Sequence, residues 1–152
     1  MSNSNLKLGQ CFRIKVGELG HAYAQYVYFD KEYGPLFSLY DKIYLEQINM
    51  KDIISTTHRF LFIGGIPGAI KKGWWVQIDQ LPVPLFKYPK FRFTFSREPG
   101  VYVDWKIWDG KSLNFIGKLS ANLRSLEFLC AWSPQALEKR LLTGICFADQ
   151  LS

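Results

Sequence analysis

Polar and apolar positions alternate from Gly9 to Val16: Phe12, Ile14 and Val16 point one way, while Cys11, Arg13 and Lys15 point the other. A period of two predicts a half-buried strand. Gly17-Glu18-Leu19-Gly20 supplies a turn, and a second strand is expected from His21 to Asp30. One face of that strand carries Tyr23, Gln25, Val27 and Phe29; the other carries Ala22, Ala24, Tyr26 and Tyr28. Both faces are largely apolar, which predicts a central strand or one covered on both sides. Gly34-Pro35 breaks the chain before a third strand, Leu36 to Tyr40.

Asn49, followed three residues later by Asp52, reads as a helix N-cap with an acidic first turn, and a short helix from Met50 to about Thr57 is expected. Arg59 to Ile66 reads as a strand ended by Gly64-Gly65 and Pro67-Gly68; those glycines predict a turn rather than a phosphate cradle. Trp74 to Asp79 is the next strand. Leu81-Pro82-Val83-Pro84 is extended but cannot sit inside a central ladder, since neither proline has an N–H to donate. From Lys90 to Arg97, Phe91, Phe93 and Phe95 share one face, opposite Lys90, Arg92, Thr94 and Ser96.

Val101 to Trp108 and Leu113 to Leu119 flank Asp109-Gly110, a hairpin signal. A two-residue turn would mix the faces. A three-residue connection pairs Ile107 with Leu113 and Trp105 with Phe115, so that version, or a bulge, is expected. Leu126 to Trp132 can finish the sheet. Ser133-Pro134 then starts a helix that Gly144 ends. About eight short strands and two helices predict a mainly β, α+β chain. The expected form is a strongly bent antiparallel sheet or partly open barrel, with a short mid-chain helix and a C-terminal helix. Without a repeat or linker, residues 1–152 read as one domain.

Composition narrows the function. With 152 residues, 48% hydrophobic and 16% aromatic, the chain can fill one core without a cofactor. The polar start, Met1-Ser2-Asn3-Ser4-Asn5, has neither part of a signal peptide. No run reaches the ~18–20 apolar residues of a membrane span. Cys11, Cys130 and Cys146 form no C-x-x-C pair and read as reduced thiols. A cytoplasmic protein with no membrane association is expected. The net charge of +6 favours acidic partners.

Catalytic signals are sparse. His21 and His58 are the only histidines, and no G-x-S-x-G, H-E-x-x-H or G-x-x-x-x-G-K-[ST] sequence occurs. Asp104 and Asp109 lie near tryptophans, but paired carboxylates follow no sequence spacing rule, and a turn and a polar strand face explain them. We expect no enzyme activity, and no catalytic, cofactor or metal-binding residues. Residues 86–97 hold four cations (Lys87, Lys90, Arg92, Arg97), five aromatic rings and no anion. Single-stranded nucleic-acid binders combine these ingredients, yet the alternation sets the rings of 91–95 opposite the cations, predicting a solvated basic face. Trp74-Trp75, and likewise Trp105 and Trp108, place indoles on opposite faces of a strand, one core and one available to a partner. Lys87, Lys90, Arg92, Arg97, Trp74 and Trp108 are therefore the candidate partner-binding residues.

The first hairpin also carries a family resemblance. Leu8-Gly9-Gln10-Cys11-Phe12-Arg13-Ile14, the glycine turn and Tyr23-Ala24-Gln25-Tyr26-Val27 resemble the opening of the immunity protein 26 family of bacterial polymorphic toxin systems. Weaker echoes lie in Arg59 to Gly64 and in Trp74-Trp75-Val76. The resemblance implies a small cytosolic, mostly β protein that binds and neutralises a cognate protein toxin, and it brings no catalytic residue. An acidic toxin surface facing the basic side chains is the expectation; a nucleic-acid-binding β-barrel module is the alternative.

Overall fold

A computed structural model describes residues 6–54, 59–63, 67–94 and 104–145. The chain is mainly β with short helices, as the alternation predicts. Among the described residues its strands form two sheets rather than one, and neither closes into a barrel.

The five-stranded sheet has the order β4-β3-β2-β1-β5. It is built from β1 (Gln10–Val16), β2 (Gly20–Asp30), β3 (Gly34–Tyr44), β4 (Arg59–Ile63) and β5 (Trp75–Gln80), all paired antiparallel. The doubly apolar β2 is its middle strand, and Ala22 through Val27 are buried. Gly20 closes the β1–β2 turn with φ +133°, and a Cβ there would sit 2.1 Å from the Tyr44 carbonyl oxygen. Only glycine fits both the backbone angle and the close approach.

The four-stranded sheet has the order β8-β7-β6-β9. It comprises β6 (Phe91–Phe93), β7 (Trp105–Trp108), β8 (Leu113–Gly117) and β9 (Glu127–Phe128). Unlike the expected all-antiparallel arrangement, β9 runs parallel to β6. The described residues also form three α-helices: α1 (Met50–Ile54), α2 (Pro67–Lys71) and α3 (Pro134–Thr143). In α3 the Ser133 side chain accepts the Ala136 N–H at 3.1 Å, and Gly144 caps the other end in the left-handed region at φ +72°. Both ends lie where the sequence puts them. The helix opening at Pro67 has no signal beyond its proline and was not expected. The continuation of α1 towards Thr57 lies outside the described residues.

Three apolar clusters explain the layering. The largest joins one face of the five-stranded sheet (Phe12, Ile14, Phe37, Leu39, Trp75) to Trp105, Phe128 and Trp132, and to Leu137 and Leu141 of α3. On the opposite face, Cys11, Tyr23 and Tyr40 pack under Met50 and Ile53 of α1. The third cluster, with Val27, Leu36, Phe91, Trp108 and Leu129, lies where the ends of β2 and β3 meet the second sheet. Covering both faces of β2 from Ala22 to Val27 removes those apolar side chains from water, worth about 1.5–3 kcal/mol for each large one, while Tyr28 and Phe29 stay exposed.

Two expectations need correction. Arg92 is not on a solvated face: it is 2% exposed, because β6 lies between β7 and β9 and its guanidinium covers the Trp105 ring at 5.8 Å. Lys106 is buried too, donating to the Asp104 carbonyl at 3.2 Å with its ammonium 5.0 Å from the Phe115 ring. The β7–β8 register also differs: Trp108 pairs with Leu113 and Ile107 with Asn114, and a bulge then sets Trp105 opposite Gly117. The Asp109 carboxylate accepts the N–H groups of Lys111 (2.9 Å) and Ser112 (2.8 Å), holding a connection one residue longer than expected. All of β7 is buried, so matching apolar faces could not select the register.

Candidate protein-binding cleft

Trp74 and Trp75 behave as the alternation predicts. Trp75 faces inward, 6.0 Å from the Phe12 ring and 5.9 Å from that of Phe37. Trp74, one residue earlier, stays 43% exposed. Its backbone N–H donates to the Ala69 carbonyl at 2.9 Å, tying the start of β5 to α2, and the Lys72 ammonium lies 4.8 Å over the indole. That contact is a cation–π interaction, worth about 0.5–1 kcal/mol at an exposed site. The ring is thus held while one face remains open.

Beside it lies a cleft of about 290 Å³, lined by Ile14, Lys15, Gly17, Trp74, Trp75, Pro134, Gln135 and Glu138. Three elements build it: the end of β1 with its turn, the start of β5, and the first turns of α3. The Ser133 cap fixes the entry angle of α3. Leu137 and Leu141 take the core side of that helix, which leaves Pro134, Gln135 and Glu138 for the cleft wall. The walls are mostly apolar, and the charges at the rim are Lys15, Lys72 and Glu138. An apolar slot with an anchored, half-open tryptophan suits the insertion of a partner's side chain.

A second polar feature joins the two sheets. Asp30, at the end of β2, is 3% exposed. Its carboxylate accepts the Trp108 indole N–H at 3.0 Å, the backbone N–H groups of Glu32 (2.8 Å) and Tyr33 (3.1 Å), and the Tyr88 hydroxyl. Burial alone pushes this carboxyl up. The Tyr88, Trp108 and backbone donors outweigh it and hold the group below the usual carboxylate range. Burial and the bond to Asp30 push the Tyr88 phenol up. Tyr28 stacks on Phe86 with centroids 5.4 Å apart, and Tyr33 meets Trp108 edge-on at 5.1 Å. The arrangement locks segment 83–88 onto the ends of both sheets.

The candidate residues from the sequence are therefore scattered. Trp74 lines the cleft, without the others. Lys87 and Lys90 are exposed on the irregular segment before β6. Trp108 is only 6% exposed, so it serves the sheet junction instead of presenting a free ring; cover on both faces of β7 is the reason. Arg92 is buried as described, and Arg97 lies outside the described residues. Lys15 and Glu138 become neighbours of Trp74 only when β1, β5 and α3 assemble, whereas Lys72 lies two residues before it in the chain. Asp30 had a local signal, an acidic strand end ahead of a Gly-Pro break, but its donors are far away in sequence.

Of the thiols, Cys11 is fully buried and donates to the Gly9 carbonyl at 3.3 Å, and burial pushes it up to about 11. Cys130 is half-buried and Cys146 lies outside the described residues. Among the described residues no three His, Cys, Asp or Glu side chains form a metal-binding group, and no helix is long and apolar enough to cross a membrane. Comparison of the chain with protein-family models, with characterised proteins and with solved structures finds no significant match.

Proposed function

We propose that this protein is an immunity protein that binds a cognate bacterial toxin in the cytoplasm and neutralises it by protein–protein contact. One observation carries the reading. Half of the residues lining the cleft fall in the segments that resemble the immunity protein 26 family: Ile14 and Gly17 from the first hairpin, and Trp74 and Trp75 from the later echo. The exposed tryptophan of that surface is one of the side chains, with tyrosine and arginine, enriched among interface anchors.

In this reading the toxin inserts a side chain beside Trp74, while the surrounding surface covers its active site or holds an inactive conformation. An interface of ~1,600 Å² with a few such anchors suffices for tight binding. Lys87 and Lys90 add positive potential that speeds encounter with an acidic surface. Co-expression with the toxin encoded beside it tests the proposal. Growth is restored and the two proteins co-purify. Continued toxicity together with no recoverable complex refutes it.

A further inference from the structure

On the face of the five-stranded sheet that α1 covers, one row interrupts the apolar pattern. Cys11 of β1 pairs with Gln25 of β2, and Gln25 pairs with Ser38 of β3. Directly opposed residues share a face of the sheet. To one side of this row, Tyr23 and Tyr40 pack with Cys11, Met50 and Ile53; to the other, Val27 and Leu36 pack with Phe91, Trp108 and Leu129. Gln25 and Ser38 thus form a polar seam between two apolar clusters. They are 0% and 1% exposed, so neither side chain reaches bulk solvent.

The orientation of the Gln25 amide is fixed. Its Nε2 donates to the Gly9 carbonyl at 3.3 Å and to the Leu81 carbonyl at 3.0 Å. Flipping the amide would set its oxygen against two carbonyl oxygens, which have no proton to give. Both amide hydrogens are therefore used, and Oε1 needs a donor from elsewhere. Among the described residues neither Gln25 Oε1 nor Ser38 Oγ has a hydrogen-bond partner, and they do not bond each other. Directly opposed Cβ atoms lie ~4.5–5.5 Å apart. Two hydrogen bonds of ~2.8 Å that meet at one oxygen span a gap of that size. Buried polar atoms in folded proteins are paired, and an internal water held by about two to four of them is a common partner.

We propose that Gln25 and Ser38 bind one internal water molecule, which donates to Gln25 Oε1 and shares a second hydrogen bond with Ser38 Oγ. The row carries no charged side chain, so it suits water and not an ion. The bridge steadies the Gln25 amide. That amide in turn ties the start of β1 at Gly9 to the chain leaving β5 at Leu81, whose N–H also donates to the Gly9 carbonyl at 3.0 Å. The bridge also resists slippage of β2 against β3. A two-residue slip keeps the faces but sets Gln25 opposite Leu36 or Tyr40, parting it from Ser38 and from the water. The water site is independent of toxin binding.

A high-resolution crystal structure of the full chain, joined to rotating-frame water cross-relaxation by NMR, tests the proposal. One ordered water lies within about 3.2 Å of both Gln25 Oε1 and Ser38 Oγ. In solution the Gln25 side-chain amide cross-relaxes with water even though it is buried. A direct Ser38–Gln25 hydrogen bond, a protein donor at Oε1, or a water that touches only one of the two overturns it. Ser38→Ala removes one anchor. Cross-relaxation at Gln25 then falls, and the Leu81 amide exchanges its hydrogen about tenfold faster than in the wild type. The proposal fails if either signal is unchanged in the folded variant. Should Ser38→Ala not fold, the wild-type measurements decide alone.

Discussion

The two sheets obey different rules. In the five-stranded sheet β2 and β3 each run eleven residues, and residues of opposite faces go to opposite clusters. Among the described residues of the four-stranded sheet no strand exceeds five residues, one pair is parallel, and two cations are buried. The first is ordered mainly by apolar burial. The second depends on polar groups that must find partners inside, because an unsatisfied buried donor or acceptor costs about 1–3 kcal/mol. Where burial decides, the pattern of side chains announces the structure. Where internal hydrogen bonds decide, the partners are remote and the pattern misleads.

Substitutions test this contrast. Phe12→Ala removes a ring 1% exposed at the centre of the large cluster; it lowers stability by about 3–5 kcal/mol, measured by denaturant unfolding. A loss under about 1 kcal/mol would show that the five-stranded sheet is not the dominant source of stability. Asp30→Asn keeps the shape of the sheet junction but removes the charge its donors serve, and costs about 2–3 kcal/mol. The folded Asp30 carboxyl lies below its unfolded value. Its stabilisation is therefore complete above the ordinary carboxylate range, near pH 4, and is lost as pH falls through the folded value. Acid unfolding of the Asp30→Asn variant lacks this component, and an unchanged acid limb would show that the carboxylate does not join the sheets.

Smaller effects sharpen the same contrast. Ser133→Ala removes the α3 cap and costs about 1 kcal/mol, seen as a lower melting temperature. Lys90→Ala, on an exposed side chain, changes stability by no more than about 0.5 kcal/mol. A larger loss there would mean that the exposed cations of segment 81–90 have a structural role like that of buried Arg92.

How much was legible follows from these particulars. The first hairpin, the central place of β2, both caps of α3 and the inward Trp75 with outward Trp74 could be read because each depends on neighbours within a few residues. Arg92, Trp108 and the β7–β8 register could not. Alternation tells which residues share a face, but not whether a second layer covers it. In β6 and β7 both faces are covered. The cleft was half legible: its tryptophan stood out, while Lys15 and Glu138 reach it from segments distant in the chain.

The most direct measurement is the affinity of the purified toxin for the wild-type protein and for Trp74→Ala, taken by calorimetry with melting temperatures recorded alongside. The account predicts that losing the indole weakens the complex by about 2 kcal/mol, roughly thirtyfold, while the fold melts within a few degrees of the wild type. Equal affinities for the two proteins would contradict it and move the binding surface away from the cleft.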